Sequence, residues 1–193
     1  MNAVALLSSD RTTTVDALRN GTAPLAIQVA SIVGFAALAA LGAQVRLYLW
    51  EVPFTLQTLA VYGSGLFLGW RNGLFSMALY LIAGMFFPVF AGDGHGITYL
   101  LTAVSGGYLI GYLAAAFVIG LLSRKWNTLA GTTLSTIVGS LVLFTFGVIW
   151  LHYAAGHATW WESLDKGWLR FIPVDLLKIM LVSLVYTGCR RLK

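Results

Sequence analysis

The sequence is poor in charge and nearly devoid of cysteine. Only 10% of its 193 residues are Asp, Glu, Lys or Arg, against about 25% in ordinary soluble domains. The single cysteine, Cys189, excludes an internal disulfide and any cysteine-based metal site. The chain also lacks a Walker-type phosphate loop, an HExxH motif and a GxSxG motif. These absences predict a protein that is not an enzyme, holds no cofactor or metal, and leaves ATP binding to other proteins.

Apolar residues dominate what is present. They make up 59% of the chain, and the mean hydropathy is +0.82. A membrane-spanning helix needs about 20 apolar residues, and six stretches come close to this requirement. They cover residues 24–43, 54–70, 72–90, 99–122, 129–155 and 169–188. The runs lack the period of two that barrel strands show. The sequence therefore predicts an all-α integral membrane protein, a six-transmembrane-helix bundle in one domain over residues 24–193, with the short second and third spans forming a tight hairpin.

The basic residues are divided unevenly between the two predicted sides. One side would hold Arg11, Arg19, Arg71, Arg124, Lys125, Arg190, Arg191 and Lys193, and the other would hold Arg46, Lys166 and Arg170. The positive-inside rule then predicts that both termini are cytoplasmic. The net charge of +5 reflects this asymmetry and needs no nucleic-acid partner. Residues 1–23 are polar and lack the apolar core of a signal peptide, so they are predicted to be a flexible cytoplasmic tail.

Asp175 and Lys178 interrupt the last apolar stretch. A charge at membrane depth costs several kcal/mol, so such residues are rare unless they are paired, hydrated or functional. Their three-residue spacing places both on one helical face. We therefore predict that they form a ligand site, with a structural intrahelical ion pair as the alternative.

Other polar residues allow two interpretations each. The AGDGHG segment in residues 91–98 is either a plain turn or a loop whose glycines approach a ligand closely. Gln57 either faces a cavity or bonds a neighbouring helix. Glu51 and Arg46 form either a gate across the first loop or a weak exposed pair.

Small residues line the first predicted span at helical spacing. Two small-xxx-small pairs are present, Ala36 with Ala40 and Ala39 with Ala43. Such faces let another helix approach closely in a membrane. The stripe predicts either contact with a partner protein or a second copy of this chain, or packing inside the bundle.

Four segments together resemble a known family. They are VPFTLQTLAVYGSGLFLGWRNG (52–73), ALYLIAGMFFPVFAG (78–92), SGGYLIGYLAAAFVIGLL (105–122) and FIPVDLLK (171–178). In order and spacing they resemble the BioY family, the biotin-specific S-components of energy-coupling factor (ECF) transporters.

The resemblance implies a six-helix S-component in a prokaryotic cytoplasmic membrane. Such a protein would capture biotin on its outer side, surrounded by membrane lipid, while a transmembrane coupling protein and two ATPases supply the energy. The family motif carries over to Asp175 and Lys178 as contacts of the polar head of biotin. It also implies Asp93, His95 and Tyr108 as residues of the site, and the alanine stripe as the partner contact.

One departure and two alternatives accompany this resemblance. Leu109 stands where some relatives have an Arg positioned for the biotin carboxylate. An autonomous oligomeric transporter of biotin or another vitamin, without an ATPase module, is the first alternative. An intramembrane enzyme using Asp175 and a histidine is the second, and the missing nucleophile and metal sets argue against it.

Overall fold

The computed structural model describes residues 14–48, 51–126 and 128–191. Arg11 and Lys193, two of the residues behind the predicted orientation, lie outside these ranges. The elements within them are α1 (Thr14–Asn20), α2 (Leu25–Gln44), β1 (Arg46–Leu47), β2 (Phe54–Thr55), α3 (Gln57–Gly63), α4 (Gly69–Phe86), α5 (Gly96–Thr102), α6 (Gly106–Leu122), α7 (Leu129–Ala154), α8 (Trp160–Gly167) and α9 (Ile172–Arg191). The strands β1 and β2 pair antiparallel, with Arg46 opposite Thr55. The predicted all-α class is confirmed, with this short ribbon added.

Among the described residues, three helical runs are long and apolar enough to cross a membrane, with a fourth if the bent pair α5 and α6 is one span: Leu25–Gln44, Gln57–Phe86 and Leu129–Ala154. The second run folds back on itself. Gln57 Nε2 lies 2.6 Å from Tyr80 Oη although 23 residues separate them, and a straight helix would place them about 35 Å apart. A five-residue π-helical segment, Ser64–Leu68, follows α3 and ends at Gly69, whose φ is +74°. The predicted hairpin thus forms, with its turn at Gly69, near the end of the predicted second span.

The predicted span over residues 99–122 is not one straight helix. Its residues divide between α5 and α6, which are bent by 91°. Ala103 is extended, and Trp150 Nε1 donates a hydrogen bond to its carbonyl at 2.9 Å. A methyl group at Gly106 would lie 2.2 Å from the Leu100 carbonyl oxygen, so the chain turns too tightly there for a side chain. Hydropathy alone does not reveal such a bend, because both halves are apolar.

Close contact between α6 and α7 forms the centre of the bundle. A methyl group at Gly107 would lie 2.2 Å from Trp150 Cβ, and one at Gly147 would lie 2.1 Å from the Tyr108 ring. The small residues at these positions therefore let the two helices approach closely. Apolar side chains on α2, α4, α7 and α9 remain exposed, which is the surface expected in lipid.

The alanine stripe on α2 faces mostly inward. Ala39 and Ala43 have no exposed surface, Ala36 is 7% exposed, and Ala40 is partly buried. This placement favours the internal-packing interpretation for the three buried alanines.

Part of the predicted flexible tail is a packed helix. Leu18 of α1 and Ala23 after it are buried, and Asn72 Nδ2 donates to the Leu18 carbonyl at 3.3 Å. Arg190, near the end of α9, forms an ion pair with Asp16 of α1 at 2.9 Å. The N-terminal helix and the end of the last helix therefore lie at the same end of the bundle. The side of the membrane that this end faces, and the count of six crossings, stay predictions.

Candidate ligand-binding cavity

A cavity opens at the end of the bundle opposite α1. Its empty volume, including its open mouth, is about 620 Å³. The side chains and backbone that line it are Val52, Pro53, Phe54, Thr55, Gln57, Thr58, Ala91, Tyr99, Ser105, Tyr108, Leu109, Tyr112, Leu143, Phe144, Phe171, Val174, Asp175 and Lys178. Most of these groups are aromatic or aliphatic, and a few polar groups converge among them. This is the usual composition of a small-molecule site.

Asp175 lies in the first turn of α9 and is 6% exposed. Tyr62 Oη donates to its Oδ1 at 2.6 Å, and Ser140 Oγ donates to its Oδ2. Each carboxylate oxygen has further lone-pair capacity after accepting one hydroxyl hydrogen bond. The carboxylate is therefore held in a fixed orientation from α3 and α7 and can still accept hydrogen bonds from a ligand.

Lys178 lies one turn further along α9 and reaches back to the start of α3. Its Nζ donates to the Thr55 carbonyl at 2.6 Å and to Thr58 Oγ1 at 3.0 Å. An ammonium group has three hydrogens, so one remains for a ligand in the cavity. Lys178 and Asp175 form no ion pair with each other in the described part of the chain. The predicted intrahelical ion pair is thus not what holds these two side chains.

Gln57 fits both of its predicted interpretations. It lines the cavity and is 3% exposed. Its Nε2 donates to Tyr80 Oη, and its Oε1 accepts from Thr55 Oγ1 at 2.8 Å. Tyr80 in turn donates to the Val89 carbonyl at 3.2 Å. The amide therefore joins the two arms of the α3–α4 hairpin while forming part of the cavity wall.

Tyr108 contributes its ring to the cavity wall. Its hydroxyl donates to the Gly167 carbonyl at 2.8 Å, so it is engaged in joining α6 to the end of α8. Leu109, beside it, lines the cavity and is 3% exposed. The wall is therefore apolar at the position where some relatives have an Arg.

Asp93 and His95 lie outside the cavity lining. Both are exposed, and Asp93 pairs with Arg46 at 3.5 Å. The ends of their loop do reach the cavity, because Ala91 and Tyr99 line it and Tyr99 Oη donates to the Ala91 carbonyl at 2.9 Å. Contact of Asp93 or His95 with a ligand would require the loop to close, and it stays a prediction.

Several residues that line the cavity or contact Asp175 were not predicted. Tyr112 follows Tyr108 by four residues and so shares its helical face, which is a signal that the sequence contained. Phe54 and Phe171 stack with ring centroids 4.2 Å apart, a contact between segments that only the fold brings together. Ser140 and Thr58 carried no signal, because hydroxyls are common in membrane helices and usually bond their own backbone.

A polar cluster fastens the β1–β2 loop to α8 at the mouth of the cavity. Glu51 accepts from Lys166 Nζ at 2.8 Å and from His157 Nε2 at 2.7 Å, and Lys166 also pairs with Glu162 at 2.8 Å. Burial opposes ionisation of Glu51, but the hydrogen bonds from Lys166 and His157 outweigh it and lower the pKa of this carboxyl. Glu51 therefore pairs with Lys166 and His157. The predicted pair of Glu51 with Arg46 is not what the described residues form. In the described residues, no group of three or more His, Cys, Asp or Glu side chains could hold a metal ion.

The bundle has the fold of a known class of membrane proteins. A crystal structure of the S-component for biotin from an ECF-type ABC transporter aligns with a TM-score of 0.79. The alignment covers 87% of this chain and 93% of that chain, at 24% sequence identity. The fold is therefore that of an S-component.

The family is defined by sequence. The BioY family profile matches residues 11–193. A biotin transporter BioY of Thermotoga maritima is 33% identical over 160 residues, covering 82% of this chain and 93% of the relative. A probable biotin transporter BioY of Pyrococcus horikoshii is 35% identical over 152 residues, covering 78% and 88%. The chain belongs to the BioY family and is a multi-pass protein of a prokaryotic cytoplasmic membrane. These relatives are named as transporters, in line with the predicted absence of enzymatic activity.

Proposed function

We propose that this protein binds biotin in the cavity and serves as the substrate-capture S-component of an ECF-type transporter. The observation that carries the proposal is the buried Asp175 carboxylate beside the Lys178 ammonium on the wall of an aromatic cavity. Family membership and the names of the relatives support the same substrate.

The chemistry of biotin matches these two groups. Its ureido ring offers two N–H donors and one carbonyl acceptor. Asp175 has free acceptor capacity for the N–H groups, and the remaining Lys178 hydrogen can be donated to the carbonyl. Phe54, Phe144 and Phe171 provide apolar area for the bicyclic ring. Burial against such rings supplies area, and the few polar groups fix the orientation.

The partners follow from what an S-component lacks. The chain has no phosphate-binding loop of its own, so ATP hydrolysis belongs to ATPase subunits that act through a transmembrane coupling protein. Uptake of labelled biotin into vesicles that contain only this protein separates the two transport hypotheses. The S-component hypothesis expects binding without accumulation, and accumulation without any ATPase would favour the autonomous transporter.

Substitution of Asp175 tests the site directly. We expect Asp175→Asn to weaken biotin binding by about ten- to a hundredfold, because hydrogen bonds to a charged group contribute about 1.5–3 kcal/mol. Equilibrium binding of radiolabelled biotin to the purified, detergent-solubilised protein measures this. Asp16→Asn is the matched control, because it removes a carboxylate at the opposite end of the bundle. Wild-type affinity in Asp175→Asn would refute the assignment, and equal losses in both variants would indicate a general folding defect.

A further inference from the structure

A second concave region lies at the end of the bundle opposite the cavity. This groove, of about 1270 Å³, is open on one side. Its lining residues are Leu18, Arg19, Asn20, Gly21, Leu25, Gln28, Val29, Ile32, Leu68, Trp70, Arg71, Asn72, Phe75 and Arg124. The groove is therefore formed by α1, the N-terminal half of α2, the Gly69 turn, the start of α4 and the residues just after α6. Nothing in the proposed biotin site uses it.

The positive charge of this groove is not neutralised. Arg71 and Arg124 are exposed, and neither side chain pairs with a carboxylate in the described part of the chain. Arg71 is positioned by Trp70, whose ring centroid lies 5.7 Å from the guanidinium carbon. Arg19 also lines the groove, and it donates inward to Ser123 Oγ at 3.0 Å. The groove therefore contains two guanidinium groups without a carboxylate partner in the described residues and a third that is already engaged inside the bundle.

Apart from three amide side chains, Asn20, Gln28 and Asn72, the other side chains that line the groove are apolar, and this apolar surface continues onto the outer face of the bundle. Leu25 is 75% exposed, Val29 is 49% exposed and Phe75 is 54% exposed. The first two lie on α2 and the third on α4, and exposed apolar residues extend along both helices toward the middle of the bundle. A molecule that filled the groove would thus meet cationic groups at one end and an apolar track leading away from them.

From this combination we propose that the groove binds an anionic phospholipid, with its phosphate between Arg71 and Arg124 and an acyl chain along α2 and α4. Guanidinium groups suit phosphate because they present several donors in a fixed plane. The positive-inside rule predicts that this end faces the cytoplasmic leaflet, whose anionic lipids attract each basic residue by about one kcal/mol. An acidic protein segment would use the cations but would leave the apolar track uncovered.

Native mass spectrometry of lipid retention tests the proposal. Detergent-solubilised protein is mixed with equal amounts of phosphatidylglycerol and phosphatidylcholine. We expect the wild type to retain phosphatidylglycerol by about tenfold over phosphatidylcholine, and Arg71→Ala/Arg124→Ala to lose this preference. Lys125→Ala is the matched control, because Lys125 is an exposed neighbour of Arg124 that does not line the groove; it should keep the preference.

Several results would overturn the proposal. Retained preference in the double variant would show that the lipid binds elsewhere, and an equal loss in Lys125→Ala would reduce the effect to general surface charge. Displacement of the lipid by inorganic phosphate would show a phosphate site that does not need the apolar track. Absence of lipid retention, together with crosslinking of Arg124 variants to a transporter subunit, would assign the groove to protein docking. Unchanged thermal unfolding of the double variant verifies that it is folded.

Discussion

The two ends of the molecule differ in how completely their basic side chains are paired with carboxylates. At the cavity end the mouth cations are all paired: Arg46 with Asp93, Lys166 with Glu51 and Glu162, and Arg170 with Asp165. At the other end Arg71 and Arg124 have no carboxylate partner in the described residues. We infer that a ligand at the cavity end is bound mainly through hydrogen bonds to its own neutral polar groups. The unpaired arginines at the opposite end suit an anionic surface instead.

Two partly buried cations, Lys178 and Arg19, also differ between the two ends. Lys178 donates to the Thr55 carbonyl and the Thr58 hydroxyl, and Arg19 donates to the Leu66 carbonyl and the Ser123 hydroxyl. Thr55 lies just before α3 and Leu66 lies in the π-helical segment that follows it. The two cations therefore bond backbone carbonyls near opposite ends of the same arm of the hairpin. Lys178 lines the cavity, whereas Arg19 lines the groove at the other end and directs its donors into the bundle. We infer that the first serves ligand binding and the second serves stability.

Substitution of Lys178 should cause the largest loss of biotin affinity. Lys178→Met retains the length of the side chain but removes its donors, and we expect biotin to bind about a hundredfold more weakly. Equilibrium binding to purified protein measures this. Lys125→Met is the control, because Lys125 is exposed at the opposite end of the bundle, lies outside the cavity lining and should change affinity little. A loss of less than about threefold in Lys178→Met would contradict the proposed role.

The matching substitution at the other end should act on stability. Arg19→Met leaves the Leu66 carbonyl without its donor, and we expect the free energy of unfolding to fall by about 1–3 kcal/mol. Thermal unfolding in detergent measures the change, and biotin affinity should remain near the wild-type value. Arg71→Met, an exposed arginine of the same region, serves as the control. If Arg19→Met impaired binding as strongly as Lys178→Met, the two cations would not differ in role.

The sequence predicted the chemistry of the cavity better than its geometry. Asp175 and Lys178 were identifiable because charge in an apolar stretch is expensive and rarely incidental. Their actual partners, Tyr62, Ser140 and Thr58, were not predictable, because they depend on how α3 and α7 pack against α9. Packing between distant segments leaves no local pattern to find.

Two further predictions from local pattern show the same limit. The glycines near Asp93 and His95 indicated a loop that can approach a ligand, but glycine gives freedom without direction, and both side chains are exposed. The alanine stripe indicated a close helix contact, but small residues serve internal and external contacts equally well. The burial of Ala39 and Ala43 favours the internal contact, and contact with a partner protein stays a prediction.

Charge pairing at the cavity end also predicts ligand selectivity. Among the described residues, Lys178 is the only basic side chain that lines the cavity, and Leu109 of its wall carries no charge. We therefore expect the biotin carboxylate to face the open mouth and water, since burying a charge without a partner is costly. Biotin amide, which is neutral, should bind within about threefold of biotin. Competition of both compounds against labelled biotin measures this, and a strong preference for biotin would reveal a cation that contacts the carboxylate.

The smallest effect is expected at the polar cluster that fastens the loop over the cavity. Val52 and Pro53 of this loop line the cavity, as do Phe54 and Thr55 of the adjoining strand β2, so loosening Glu51 should raise the biotin dissociation rate more than it lowers stability. For Glu51→Gln we expect a severalfold faster dissociation and a stability change below about 1 kcal/mol, the usual range for exposed pairs.

Because the pKa of Glu51 is lowered, the difference between wild type and Glu51→Gln should depend on pH. A carboxyl with a lowered pKa in the folded state contributes stability above its unfolded pKa, about 4.3 for Glu, and this contribution is lost as the pH falls through the folded value. Wild type and Glu51→Gln should therefore differ at pH 7 and converge in acid. Stopped-flow measurement of biotin release and thermal unfolding at both pH values would check this. A difference that persists unchanged in acid would show that the Glu51 charge does not hold the loop.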